Sequence, residues 1–275
     1  MSVAAVARPS SLRDIPWAVW LLLAFAAALA LYIFSRPGYT VIGGLATIAP
    51  IVFAAAVVYV KPADQRFMWA ALFLAATPVV GLIAGVFPDA WFAYAPGDWK
   101  NGTPLMRDVA SLGVDVARIL GLVGLFLFGL ALGGVRSFVP FLIMALGLVL
   151  AVGNLIWTFA HPIDDLPLYD LAKTLSYAVL RVVGLAFVFA AAVESLRSLT
   201  MTGAGFLFLN AAIGAVLLWW TIGTGANFDV LSLVLGGTSL LGWIALIAAP
   251  LRGEFSAAPP RSRVGRESAS RRRAG

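Results

Sequence analysis

The chain predicts an all-α, polytopic integral membrane protein of eight transmembrane helices, and three observations carry that expectation. Hydrophobic residues fill 61% of the 275 positions and charged residues only 12%, about half the charged share of an ordinary soluble domain. So much apolar side chain cannot be hidden inside a chain of this length, and lipid must solvate much of its surface. Eight stretches of mostly apolar residues then follow one another, each approaching the ~20 residues that cross a hydrocarbon core. Finally, the charge is segregated. Beyond Leu251 lie seven Arg and two Glu, which account for five of the chain's six net positive charges.

Residues 1–14 form a short segment ahead of the first span, 15–34. The triplet Ala28-Leu29-Ala30 resembles a signal-peptide cleavage site, but the apolar run before it is longer than a usual signal core, so 15–34 is read as a true span. Spans two and three cover 41–60 and 67–87. The longest connection follows and carries Trp91, Phe92, Tyr94 and Trp99. These aromatics suit an interfacial belt at headgroup level; a substrate lid is the sharper alternative. Asn101-Gly102-Thr103 fits a glycosylation sequon, a pattern too short to carry weight.

Spans four to eight cover 109–135, 138–160, 171–193, 203–222 and 231–251, making 15–251 one transmembrane domain. Short connections predict that consecutive helices pack as antiparallel hairpins. The tail, 252–275, is rich in Pro, Ser and Arg without periodicity and is expected to be disordered. Its Arg cluster fits topology setting and contact with anionic lipid. Nucleic acid is not an expected partner, because no folded basic surface with interleaved aromatics accompanies the cluster. With both termini in the cytoplasm, thirteen Lys and Arg fall in inner segments and three (Arg36, Lys100 and Arg107) in outer ones. That bias predicts a multi-pass inner (plasma) membrane protein with cytoplasmic termini.

Spans four–five and six–seven resemble each other. An offset of 63 relates Arg118 to Arg181, Gly121-Leu122 to Gly184-Leu185, Phe126 to Phe189 and Trp157-Thr158 to Trp220-Thr221. A tandem hairpin repeat about an axis along the membrane normal is expected, with the two arginines at similar depth.

Both spans carry polar stripes. Arg107, Ser111, Asp115 and Arg118 recur at steps of three and four, as do Asp170, Thr174, Tyr177 and Arg181, with Lys173 beside them. Such steps share one helix face. Seventeen residues part Arg118 from Arg136, about 26 Å of helix at ~1.5 Å each, so Arg118 could reach an interface. Only twelve part Arg181 from Glu194. That is about 18 Å against a core of ~30 Å, so charge must sit within the membrane and face protein or water. Asp115 could bridge to Arg181 as a packing device. Alternatively, two arginines against one acid leave a positive charge suited to a phosphate or carboxylate. Glycines 121, 124, 129, 133, 134 and 184 predict close helix approach in the other half of these spans, and so a polar vestibule above a sealed base.

The absence of Cys excludes disulfides, thiolate metal sites and Cys nucleophiles, and one His excludes a bis-histidine haem. His161, Asp164 and Asp165 could bind a divalent metal that activates water, but an ordinary Pro-containing capped turn is the favoured explanation. No cofactor is expected, and no catalytic motif is evident. The favoured function is a non-enzymatic transport or binding component for a small anion or anionic lipid headgroup. Arg118, Arg181, Asp115, Tyr177, Thr174, Lys173 and Ser111 would line its site. Second comes a non-catalytic subunit or sensor bonded to a membrane-protein partner, and third an outer-leaflet enzyme built on His161.

Overall fold

The computed structural model describes residues 15–35, 40–94, 104–133, 138–160, 167–224 and 229–256. Among them are eight helices and no strand: α1 (Trp17–Phe34), α2 (Val41–Val60), α3 (Gln65–Tyr94), α4 (Pro104–Ala131), α5 (Phe138–Ala160), α6 (Pro167–Glu194), α7 (Ser198–Thr224) and α8 (Asp229–Leu251). Seven are long and apolar enough to cross a membrane; in α5 the described apolar stretch is the shorter Phe141–Ile156. Large apolar side chains face outward, among them Leu31, Trp219 and Val149, each at least two-thirds exposed. Lipid is the solvent such surfaces require. The fold is that of a multi-pass helical membrane protein.

Local chemistry sets the helix ends. Proline lacks the N–H that a first helical turn leaves unused and fixes a helical φ. Thus α4 and α6 begin at Pro104 and Pro167, several residues ahead of the apolar runs. Helix α3 continues to Tyr94, through part of the expected loop. Trp91, Phe92 and Tyr94 therefore ride on helix; Trp99 lies outside the described residues. At the start of α3 the Asp64 carboxylate accepts hydrogen bonds from the Arg66 backbone N–H (2.9 Å) and guanidinium (2.7 Å).

The helices close into a ring. Helix α2 packs on α3, α3 on α4, α4 on α6, α6 on α7, α7 on α8, and α8 returns to α2. Helix α1 leans on α2, and α5 leans on α4 and α6, displaying Val139, Leu142, Leu146, Val149 and Ile156 outward. Small residues permit the close approaches. A Cβ at Gly124 would stand 2.8 Å from the Leu74 side chain and 3.1 Å from the Ala70 carbonyl oxygen. A Cβ at Gly129 would overlap the Phe187 ring, and one at Gly203 would come within 2.7 Å of the Gly242 carbonyl oxygen. Gly133 ends α4 at a φ of 94°, a conformation that glycine adopts without a steric cost.

One end of the ring is filled by aromatic rings. Phe53 lies 5.7 Å from Phe128 and 5.9 Å from Trp243, and Phe67 stacks on Phe255 at 4.4 Å. The Arg197 guanidinium covers Phe67 at 5.1 Å, within cation–π range. Burial pulls the Arg197 pKa below its ordinary value, while Glu254 and Asp64 oppose that shift. Residues 252–256 correct the expected boundary of the disordered tail. Phe255 is buried, and Glu254 accepts from the Leu199 and Thr200 backbone N–H groups (2.8 and 3.0 Å) and the Thr200 hydroxyl (2.7 Å). A carboxylate at a helix N-terminus satisfies donors that the helix itself cannot. The chain after α8 is thereby pinned to the start of α7.

Candidate functional site

Helices α4 and α6 run side by side in the same direction, because their contacts advance together. Asp115 meets Lys173, Arg118 meets Tyr177, Leu125 meets Gly184, and Phe126 meets Phe187. Contacting residues are thus separated by 58 to 61 positions, rather than the 63 of the sequence similarity. The difference matters for the arginines. By this register Arg181 stands opposite Leu122, one helical turn (~5.4 Å) beyond Arg118. The cations form a ladder along the α4–α6 seam: Lys173, Arg118, Arg181.

The acid is held at the first rung. Asp115 is 1% exposed; its Oδ2 pairs with Lys173 Nζ at 2.6 Å and its Oδ1 with Arg118 Nη1 at 3.3 Å. Arg118 also lies over the Tyr177 ring at 5.2 Å. The alternative of an Asp115–Arg181 bridge is corrected here. The parallel register brings Lys173, two turns before Arg181, against Asp115, and Lys173 takes that place. Arg181 has no ion-pair or hydrogen-bond partner among the described residues. Three cations and one carboxylate leave the seam with two net positive charges.

Arg118, Tyr177 and Arg181 line a cavity of about 510 Å³ inside the six-helix ring, within the ~300–1,000 Å³ of typical small-molecule sites. Arg181 is exposed and forms part of the cavity wall. Polar side chains at Thr47, Thr77, Asn210 and Ser239 also reach the wall. Asn210 donates to the Leu235 carbonyl, whereas Thr47 and Thr77 donate to carbonyls of their own helices. Further along, the wall is apolar (Leu125, Leu185, Val188, Leu207, Leu246), and it ends at Phe128 and Trp243 of the aromatic cluster. A second cavity, about 550 Å³, lies between α5 and α6 and shares Tyr177 with the first; Lys173, Asn154 and Ser176 contribute its polar wall.

The residues singled out from sequence divide into three groups. Asp115, Arg118, Lys173, Tyr177 and Arg181 come together at the α4–α6 seam. Thr174 is half-buried and lines neither cavity. Ser111 lies on α4, but its side chain, like those of Arg107 and Asp170, is outside the described residues. His161, Asp164 and Asp165 also lie outside them, and no metal-ligating cluster occurs among the described residues. The contributions of α2, α3, α7 and α8 to the cavity wall were not anticipated. Their only sequence signal was a sparse scatter of uncharged polar residues within the apolar spans, such as Thr47, Thr77, Asn210 and Ser239. Compared with protein families, curated proteins and solved structures, the chain matches none.

Proposed function

We propose that this protein is a membrane transport or binding component for a small oxyanion, supplied free or as a lipid headgroup. Arg118 and Arg181 are its charge receptors. The observation that carries this reading is Arg181, a guanidinium with no partner among the described residues that lines the cavity inside the six-helix ring. Holding such a charge within a membrane is costly, and a bound anion offsets the cost by supplying the missing hydrogen bonds. Guanidinium offers paired N–H donors that match phosphate and carboxylate oxygens. Asp115 does not compete for Arg181, because Lys173 and Arg118 already engage it.

The reading includes eight crossings, with α5 as the eighth, and both termini in the cytoplasm of a cell whose inner membrane houses the protein. The charge bias supports that orientation. It turns the polar end of the ring outward and the aromatic plug inward, giving an outward-facing vestibule. The 63-residue similarity supports a tandem origin for α4–α5 and α6–α7. Thermal unfolding in detergent with added phosphate tests the binding claim. Phosphate should raise the transition temperature of the wild type and not that of Arg181→Gln. An equal shift in both proteins, or none in either, refutes the assignment.

A further inference from the structure

Resting on that reading and deepening it, we infer that the ligand is a single-chain amphiphilic anion, with an oxyanion head at Arg118 and Arg181 and an apolar body extending toward Phe128 and Trp243. The cavity itself points to this class. Its cationic groups, Arg118 and then Arg181 a turn further in, occupy one end, whereas the following two turns of wall are Leu125, Leu185, Val188, Leu207 and Leu246. A bare inorganic anion would fill the charged level and leave the apolar length to water, which such walls give few partners. An apolar body removes that water and covers the wall.

Depth sets the size of the body. Val188 lies seven positions beyond Arg181, about 10 Å of helix at ~1.5 Å per residue. An extended chain advances roughly 1.2 Å per bond, so on the order of eight carbons reach the aromatic plug. Beyond that point Phe53, Phe128 and Trp243 pack ring against ring, and a longer chain must displace them. The neighbouring α5–α6 cavity shares only the Tyr177 wall and adds Lys173. Tyr177 therefore stands where an amphiphile entering between α5 and α6 would pass from one chamber to the other.

The test is a chain-length series measured on purified protein in nanodiscs: inorganic phosphate, then ethyl, butyl, hexyl, octyl and dodecyl phosphate below their micellar concentrations. Affinity should rise about fourfold per methylene, the equivalent of ~0.8 kcal/mol, up to about eight carbons, and then level off or fall. Octanoate should follow octyl phosphate if the head is read only as an oxyanion, and octyltrimethylammonium should not bind. Arg181→Gln should abolish the binding of every member. Leu125→Trp, which fills the apolar length, should shorten the optimum chain. Should that variant fail to fold, the wild-type series still decides. A flat series that includes phosphate overturns the amphiphile and spares the small-anion reading; no binding by any member overturns both. A rising series that survives Arg181→Gln reports mere partitioning and also overturns both. Dioleoyl phosphatidic acid in the nanodisc should not displace octyl phosphate, and displacement would overturn the single-chain assignment in favour of a two-chain lipid.

Discussion

Removing the Asp115 carboxylate tests whether the acid holds the seam together or belongs to the binding chemistry. Lys173, with a side chain 4% exposed, stands 2.6 Å from the Asp115 carboxylate, itself 1% exposed. Breaking a pair buried this deeply strands the remaining charge and costs about 3–5 kcal/mol. Arg118 is different. Its side chain is a third exposed and its contact is longer, 3.3 Å, so solvent in the cavity screens the pair and its loss should cost under ~1 kcal/mol. Asp115→Leu and Lys173→Met are therefore each expected to lose about 3–5 kcal/mol, and Arg118→Gln far less. The double variant Asp115→Leu with Lys173→Met replaces the pair by apolar side chains of similar bulk and should regain most of the loss. Arg181→Gln strands no carboxylate, so it should unfold close to the wild type. Reversible unfolding of the purified variants in mixed micelles, completed as a double-mutant cycle, measures these values. A double variant no more stable than the singles, or an Arg118 change costlier than the Lys173 change, would refute the assignment.

Other expectations follow from the packing and the helix ends. Gly129→Leu drives a side chain into the buried Phe187 ring and should destabilise by at least ~1–3 kcal/mol, read as a lowered transition temperature. Glu254→Ala releases the backbone N–H groups at the start of α7 and should cost about 1–2 kcal/mol; faster hydrogen exchange at Leu199 and Thr200 would locate the effect. The Arg66 hydrogen bond holds the Asp64 carboxyl below its ordinary 3.8. Its contribution is present above that value and is lost as pH falls through the lower folded-state pKa. The stability difference between wild type and Asp64→Asn should accordingly persist at neutral pH and vanish in strong acid. Reporter fusions after Arg66, Arg136 and Arg197 should report cytoplasm and those at Asp98 and Asp165 the outside, if the charge bias sets topology.

Helix number and approximate position were legible because apolar runs of span length are a composition signal, insensitive to side-chain detail. The ends were less so. Pro104 and Pro167 start helices before the apolar runs begin, and α3 runs past the polar residue Asp89 to Tyr94. The polar stripe of each helix was also readable, since steps of three and four stay on one face. The register between two helices was not. Sequence offset pairs Arg118 with Arg181, yet side-chain fit pairs Arg118 with Tyr177 and gives Asp115 to Lys173. Single residues such as Asn210 and Ser239 were too sparse to mark a wall, and only the closure of six helices brings them to one cavity. Glu254 and Phe255 were hidden by the composition of the residues after them.

A structure of the protein in lipid with a heavy oxyanion such as tungstate tests the central claim most directly, because it shows where the anion sits. Strong density is expected inside the six-helix ring, within hydrogen-bonding distance of the Arg181 guanidinium and facing Arg118, and it should be absent from Arg181→Gln. An empty cavity with tungstate confined to surface arginines would contradict the claim.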